Sequence, residues 1–312
     1  MIIFRYITSY MALLTLLGAA VGYFWPPIML VFKDVFLWMF AATMFALGIV
    51  LHPPELKETL RSPKAIALGV LTQYSVMPLL GFAAASFGGL SPELALGFVI
   101  VGCAPGAMAS NVIVYLAGGA LAFSIALTTV ATVLSPLLTP FLVQWLGGSF
   151  LPVEFWPLMQ TILLTVLLPL LLGMLVRRQL GRFLLPVQEI APAVAALAII
   201  IICSYAVAAN HERIAEVGST VIVLVILLNA LGYLLGGVLA RIYRFDRQHQ
   251  LTLSIEIGMQ NAGLGVALAL KHFSPETALP GALFAVWCIV TAAGASAWFR
   301  AKQRQVANEI SG

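Results

Sequence analysis

Long apolar blocks, separated by short segments rich in charge, proline or glycine, follow one another from end to end of this 312-residue chain. A helix needs about 20 apolar residues to cross a hydrocarbon core of about 30 Å. Blocks of that kind fall at residues 7–31, 34–51, 64–87, 92–117, 120–146, 156–176, 190–209, 217–240, 248–271 and 279–299. The pattern predicts an all-α polytopic membrane protein with ten transmembrane helices and no separable soluble domain. Two blocks carry polar and helix-weakening residues in their interiors: "CAPGAMASN", Cys103 to Asn111, in the fourth, and "EIGMQNAGLG", Glu256 to Gly265, in the ninth. Gly102, Pro105 and Gly106 in one, and Gly258, Gly263 and Gly265 in the other, weaken helix continuity where the polar residues sit. Both spans are therefore expected to be broken, and broken backbone at membrane depth persists only where it is buried or lines a cavity.

Composition agrees: 62% of residues are hydrophobic, 9% are charged and the mean hydropathy is +1.04, against about 25% charged in a soluble domain. The opening Met1 to Trp25 has the Arg5 and apolar core of a signal peptide. No polar mature domain follows it, so it reads as a first span. The net charge of +4 is scattered over short loops, which gives nucleic acid no continuous basic face. With a cytoplasmic N-terminus, the inner segments hold Arg5, Lys57, Arg61, Lys64, Arg177, Arg178, Arg182, Arg241, Arg244, Arg247, Arg300, Lys302 and Arg304, and the outer ones only Lys33, Arg213 and Lys271. The positive-inside rule then places both termini in the cytoplasm. Cys103, Cys203 and Cys288 lie apart in apolar surroundings, without the spacing of a metal site.

The two halves share a layout. Ser110 and Asn111 fall over Gln260 and Asn261 at an offset of 150 residues, and five spans per half place the repeats in opposite orientations. This predicts an inverted repeat, residues 1–150 and 151–312. Of the twelve acidic residues, Glu256 alone lies well inside a span. An intramembrane carboxylate costs about 2.5–3.5 kcal/mol on translocon scales, so it normally faces a cavity, a partner or an ion. No basic residue lies deep in a span to pair with it, whereas neutral oxygen donors do: Gln73, Ser110, Asn111, Ser124, Thr128, Gln260 and Asn261. Ser124 and Thr128, four apart, share a helix face. Hard oxygens suit alkali and alkaline-earth cations, and no intramembrane His or Cys cluster invites a transition metal.

The segments "ASNVIVYLAGG", "LSPLLTP", "EIGMQNAGLG" and "LPGALFAVW" resemble signatures of the bile acid:sodium symporter family, bacterial branch, and the resemblance runs along essentially the whole chain. It implies a panel domain of spans 1, 2, 6 and 7 and a core domain of spans 3–5 and 8–10, in which the broken fourth and ninth helices cross. It implies two sodium ions, one held by Ser110, Asn111, Ser124, Thr128 and Glu256, the other by Gln73, Glu256, Gln260 and the carbonyls of Ile257 and Met259. An organic anion would bind beside Asn111 and Asn261. Three departures bear on that substrate: Cys288 and Ile289 stand where His-Asn is frequent, Leu228 precedes Asn229 where His is common, and Met108 replaces a small or hydroxyl residue. The implied crevice, with Met108, Asn111, Asn261 and Cys288 as substrate residues, is more apolar than usual. A bile acid, a pantoate-like small acid and another carboxylate all remain open, as does the oligomeric state.

The function expected is a sodium-coupled symporter importing an organic anion by alternating access. A proton-coupled carrier using Glu256 as its proton site is the alternative. An enzyme is not expected, because the spans contain no Ser/His/Asp or HExxH pattern.

Overall fold

The computed structural model describes residues 11–51, 63–181 and 184–288, with Val290, Thr291 and Gly294 beyond them. The outer parts of the first and last expected spans lie outside these residues, as do Arg5, Lys57, Arg61, Arg182, Ile289, Arg300, Lys302 and Arg304. The described chain is helical. In order it forms α1 (Met11–Phe24), α2 (Pro26–Leu30), α3 (Phe36–Val50), α4 (Pro63–Phe87), α5 (Pro92–Gly102), α6 (Ser110–Ala117) and α7 (Leu121–Leu142). Then come α8 (Phe155–Ile162), α9 (Leu168–Gln179), α10 (Leu184–Ala208), α11 (His211–Ile242), α12 (Arg247–Gly258), α13 (Ala262–His272) and a helix α14 over 275–288. Among the described residues five helices are long and apolar enough to cross a membrane by length and composition.

Both expected breaks are present, between α5 and α6 and between α12 and α13. The sixth block departs from a plain helix: a π turn, Leu163–Leu167, joins α8 to α9. Pro169 lies two residues past that turn, and its missing N–H removes one i→i−4 bond there. Hydropathy also misplaces two helix ends. α10 starts at Leu184, and α11 runs for 32 residues from His211, because an apolar block marks the bilayer and not the end of hydrogen bonding.

Packing gathers the helices into two groups, joined where α8 lies on α7. α3 lies against α9 and α10, and α10 against α1; separately, α4 packs on α5, α7 and α11, and α11 on α12. α13 reaches both α3 and α10. Exposed aromatics, namely Trp25, Trp38, Phe87, Trp145 and Trp156, border the connections between the first and second, third and fourth, and fifth and sixth spans. The amphipathic indole rings among them, those of Trp25, Trp38, Trp145 and Trp156, belong at the membrane–water interface. Near the connections after α4, α10 and α13, Arg213 pairs with Glu276, Ser91 donates to Glu276 (2.7 Å), and the Asn210 amide donates to the Pro275 carbonyl (2.7 Å).

α3 and α9 touch through backbone. A Cβ on Gly48 would meet the Leu170 carbonyl, and one on Gly173 the Phe45 carbonyl. Close approach through small residues is how membrane helices gain packing contact without a hydrophobic driving force. Gly48→Leu is therefore expected to destabilise the protein by about 1–3 kcal/mol through overpacking. Thermal unfolding in detergent checks this, and an unchanged midpoint would contradict the contact.

Candidate functional site

The two breaks lie against each other and run antiparallel. Gly106 pairs with Gln260, the Ala107 N–H donates to the Met259 carbonyl (2.9 Å), and the Asn261 N–H donates to the Pro105 carbonyl (2.8 Å). Each break thus satisfies backbone groups that the other leaves without a helical partner, at a depth where no water would do so. Side chains from neighbouring helices hold further carbonyls: Thr139 donates to Cys103 (2.8 Å), the Gln73 amide to Ala104 (3.1 Å) and the Asn229 amide to Gly258 (2.8 Å).

Glu256, 1% exposed, ends its helix turn beside this crossing. Its carboxylate meets Ser110 Oγ (2.5 Å), Ser124 Oγ and Thr128 Oγ1 (2.8 Å). Ser124 Oγ also lies 2.7 Å from Asn111 Oδ1, and Thr128 Oγ1 lies 2.9 Å from the Ser124 carbonyl. Three hydroxyl protons therefore serve all five of these oxygen–oxygen contacts. Each hydroxyl has one proton to give, so the cluster presents converging lone pairs in excess of its protons. Such a cluster can take up positive charge, as a cation among its oxygens or as a proton on the carboxyl group. Among the described residues no basic side chain pairs with Glu256, and no group of three His, Cys, Asp or Glu side chains is placed to hold a metal.

A second oxygen group adjoins the first. Gln73 Nε2 donates to Gln260 Oε1 (2.7 Å), and Gln260 Nε2 donates to the Ile257 carbonyl (2.8 Å). A Cβ on Gly106 would come 3.2 Å from Glu256 Oε2 and 3.9 Å from Gln73 Oε1, so the missing side chain leaves a cradle edged by both oxygens. Ile257 and Met259, the carbonyls that family resemblance singles out, are here hydrogen-bonded to Gln260 and Ala107; each keeps a second lone pair.

Beside the crossing opens a cavity of about 380 Å³. Met108, Asn111, Asn261 and Cys288 all line it, with Met44 of α3 and Ala195 of α10 on the facing wall. Asn261 accepts the Leu264 N–H (3.2 Å) and so caps α13, while Asn111 lies in the first turn of α6. The cavity thus has an apolar wall opposite an amide-bearing one, with two helix N-termini at its polar end, where anions are favoured.

All the residues expected at the site gather at the crossing or the cavity. Gly263 and Gly265 do not belong to the break. They sit inside α13, where an added Cβ would make only ordinary contacts, 3.4 Å or more, with Phe40 and with Val101. Thr139, Asn229 and the Gly106 cradle escaped the sequence reading. Asn229 had one legible trace, as the amide of the eighth span where Gln73 is the amide of the third.

Broken helices crossing beside an oxygen cluster and an apolar cavity, in a chain with five helices able to span a bilayer, define a membrane transporter. The chain belongs to the sodium bile acid symporter family, which its residues 37–220 match. It is 38% identical over 82% of its length to an uncharacterized sodium-dependent transporter of Bacillus subtilis, YocS, and covers 82% of that protein. It is 36% identical over 85% of its length to the probable chloroplastic sodium/metabolite cotransporter BASS1 of Arabidopsis thaliana, covering 66% of it. To the rice protein BASS2, likewise a probable sodium/metabolite cotransporter, identity is 32% over 97% of the chain and 73% of the relative.

Proposed function

We propose that the protein is a sodium-coupled symporter that imports an organic anion by alternating access. The observation that carries this reading is the proton-poor oxygen cluster around Glu256. Ser110, Asn111, Ser124, Thr128 and Glu256 would hold one sodium ion, and Gln73, Glu256, Gln260 and the carbonyls of Ile257 and Met259 a second. Both ions share one carboxylate, so two cations leave one positive charge uncompensated. A monovalent anion seated beside Asn111 and Asn261 would offset it. Anion and sodium would then each favour the other's binding, the reciprocity that coupling requires. The sodium-dependent names of the relatives support the choice of ion.

The same reading assigns ten spans in two inverted repeats, 1–150 and 151–312. The two packing sets support a panel of spans 1, 2, 6 and 7 and a core of spans 3–5 and 8–10. The cavity is bounded by Leu51, Val112, Ile125 and Pro192, residues on the side that the basic residues assign to the cytoplasm. The bonds of Glu276 to Ser91 and Arg213 lie on the other side. On this reading the cavity opens inward, the membrane is a bacterial inner membrane, and Met108 and Cys288 shape the substrate end.

One observation also favours a proton: a proton on Glu256 would serve one of the contacts that lack one. Uptake into proteoliposomes separates the two readings. With labelled monocarboxylates including a bile acid and pantoate, an inward sodium gradient at uniform pH is expected to drive accumulation. A proton gradient in potassium buffer is not. Accumulation driven by the proton gradient alone would replace the sodium reading with the proton one.

A further inference from the structure

Three consecutive carbonyls leave the end of α12, and each has a different partner. Ile257 accepts from Gln260 Nε2 (2.8 Å), Gly258 from Asn229 Nδ2 (2.8 Å) and Met259 from the Ala107 N–H (2.9 Å). The first and third partners belong to the breaks themselves. The second comes from α11, outside the crossing, and Asn229 lines neither the cavity nor the oxygen cluster. Asn229 is 1% exposed, and its amide reaches a buried carbonyl.

The helix that carries Asn229 is fixed on α12 by backbone contact. A Cβ on Gly232 would lie 3.1 Å from both Gly258 Cα and the Ile257 carbonyl, and one on Gly236 would lie 2.8 Å from the Leu253 carbonyl. Gly232 and Gly236, four apart, make a small-residue seam of the kind that lets membrane helices touch. Asn229 precedes that seam by less than one helical turn. The first half of the chain repeats the device: Gln73 on α4 donates to the Ala104 carbonyl in the other break, and further along α4 a Cβ on Gly81 would lie 3.3 Å from Gly102 Cα. In each half an amide on an unbroken helix, ahead of a glycine contact, holds a carbonyl of a broken one.

We propose that Asn229 is a positioning residue for the cation site: by committing the Gly258 carbonyl to α11, it sets the rotation of the chain that aims the Ile257 and Met259 carbonyls. This rests on the reading of Glu256 and its neighbours as a sodium site. Groups that orient ligands without touching the ion typically change metal affinity by about 10–100-fold when removed.

The test is a sodium chloride titration followed by thermal unfolding in detergent, with potassium chloride as the control. Asn229→Leu is expected to raise the sodium concentration giving half of the stabilisation by about tenfold or more. Ser254→Ala removes the bond from Ser254 Oγ to the Tyr233 carbonyl (2.6 Å) across the same α11–α12 seam. It is expected to lower the sodium-free midpoint and leave the sodium half-point where it was. If Asn229→Leu does not fold, Asn229→Ser, whose side chain is too short to reach Gly258, is judged by the same criterion. An unmoved half-point in the Asn229 variant, or an equal shift in Ser254→Ala, would reduce Asn229 to packing and overturn the proposal. A wild type indifferent to sodium would instead remove the sodium reading, and the role of Asn229 with it.

Discussion

Glu256→Gln is expected to leave the protein folded and to eliminate sodium-driven uptake. The substitution keeps the size of the side chain and one carbonyl oxygen, so the packing around the crossing survives. It removes the one charge among the site's oxygens and brings two amide protons to a cluster whose three hydroxyls already point inward. Both proposed cations use this carboxylate, so both lose their counter-charge in a setting where, among the described residues, no charged neighbour pairs with it. A loss of at least about 100-fold in sodium affinity follows, equivalent to about 2.7 kcal/mol. Uptake in proteoliposomes, beside a sodium-free unfolding curve that reports the fold, checks both halves of the prediction. Normal sodium dependence in a folded variant would move the site away from Glu256.

A second large effect is expected at Gly106, through space and not charge. The methyl of Gly106→Ala would stand 3.2 Å from Glu256 Oε2, closer than a comfortable contact, and the branches of Gly106→Val would fill the cradle toward Gln73 Oε1. Overpacking of about 1–3 kcal/mol corresponds to a loss of about 5- to 150-fold in affinity. Sodium half-points should therefore rise in the alanine variant and become unmeasurable in the valine variant. Gly265→Ala is the matched comparison, because its Cβ would lie 3.5 Å from Val101 in ordinary contact. Equal behaviour of the two alanine variants would mean that the cradle is not where the ion sits.

Much of this architecture was legible in the pattern of apolar blocks, because burying a helix in lipid demands a long apolar stretch and little else. The two breaks were legible for the converse reason: Pro105, Gly106 and Gly258 stand beside polar residues that lipid would not tolerate. Glu256 stood out as the one acid deep in a span. The limits of α10 and α11 were not legible, since hydrogen bonding continues past the bilayer, and neither was the π turn after Ile162. Gly263 and Gly265 look like Gly106 and Gly258 on the page. The structure separates them by what an added side chain would meet, which no local sequence records. Thr139 and Asn229 were hidden because a lone Thr or Asn in a span usually bonds its own helix, whereas these two reach carbonyls across a helix boundary.

The central claim is that Glu256 and its hydroxyl and amide neighbours form a sodium site. The most direct measurement is the unfolding midpoint of the purified wild-type protein across matched sodium chloride and potassium chloride titrations. Ligand that binds only the folded state stabilises it by about 2.7 kcal/mol at 100 times its dissociation constant. A saturable rise in midpoint with sodium and none with potassium is expected. Identical curves in the two salts would contradict it.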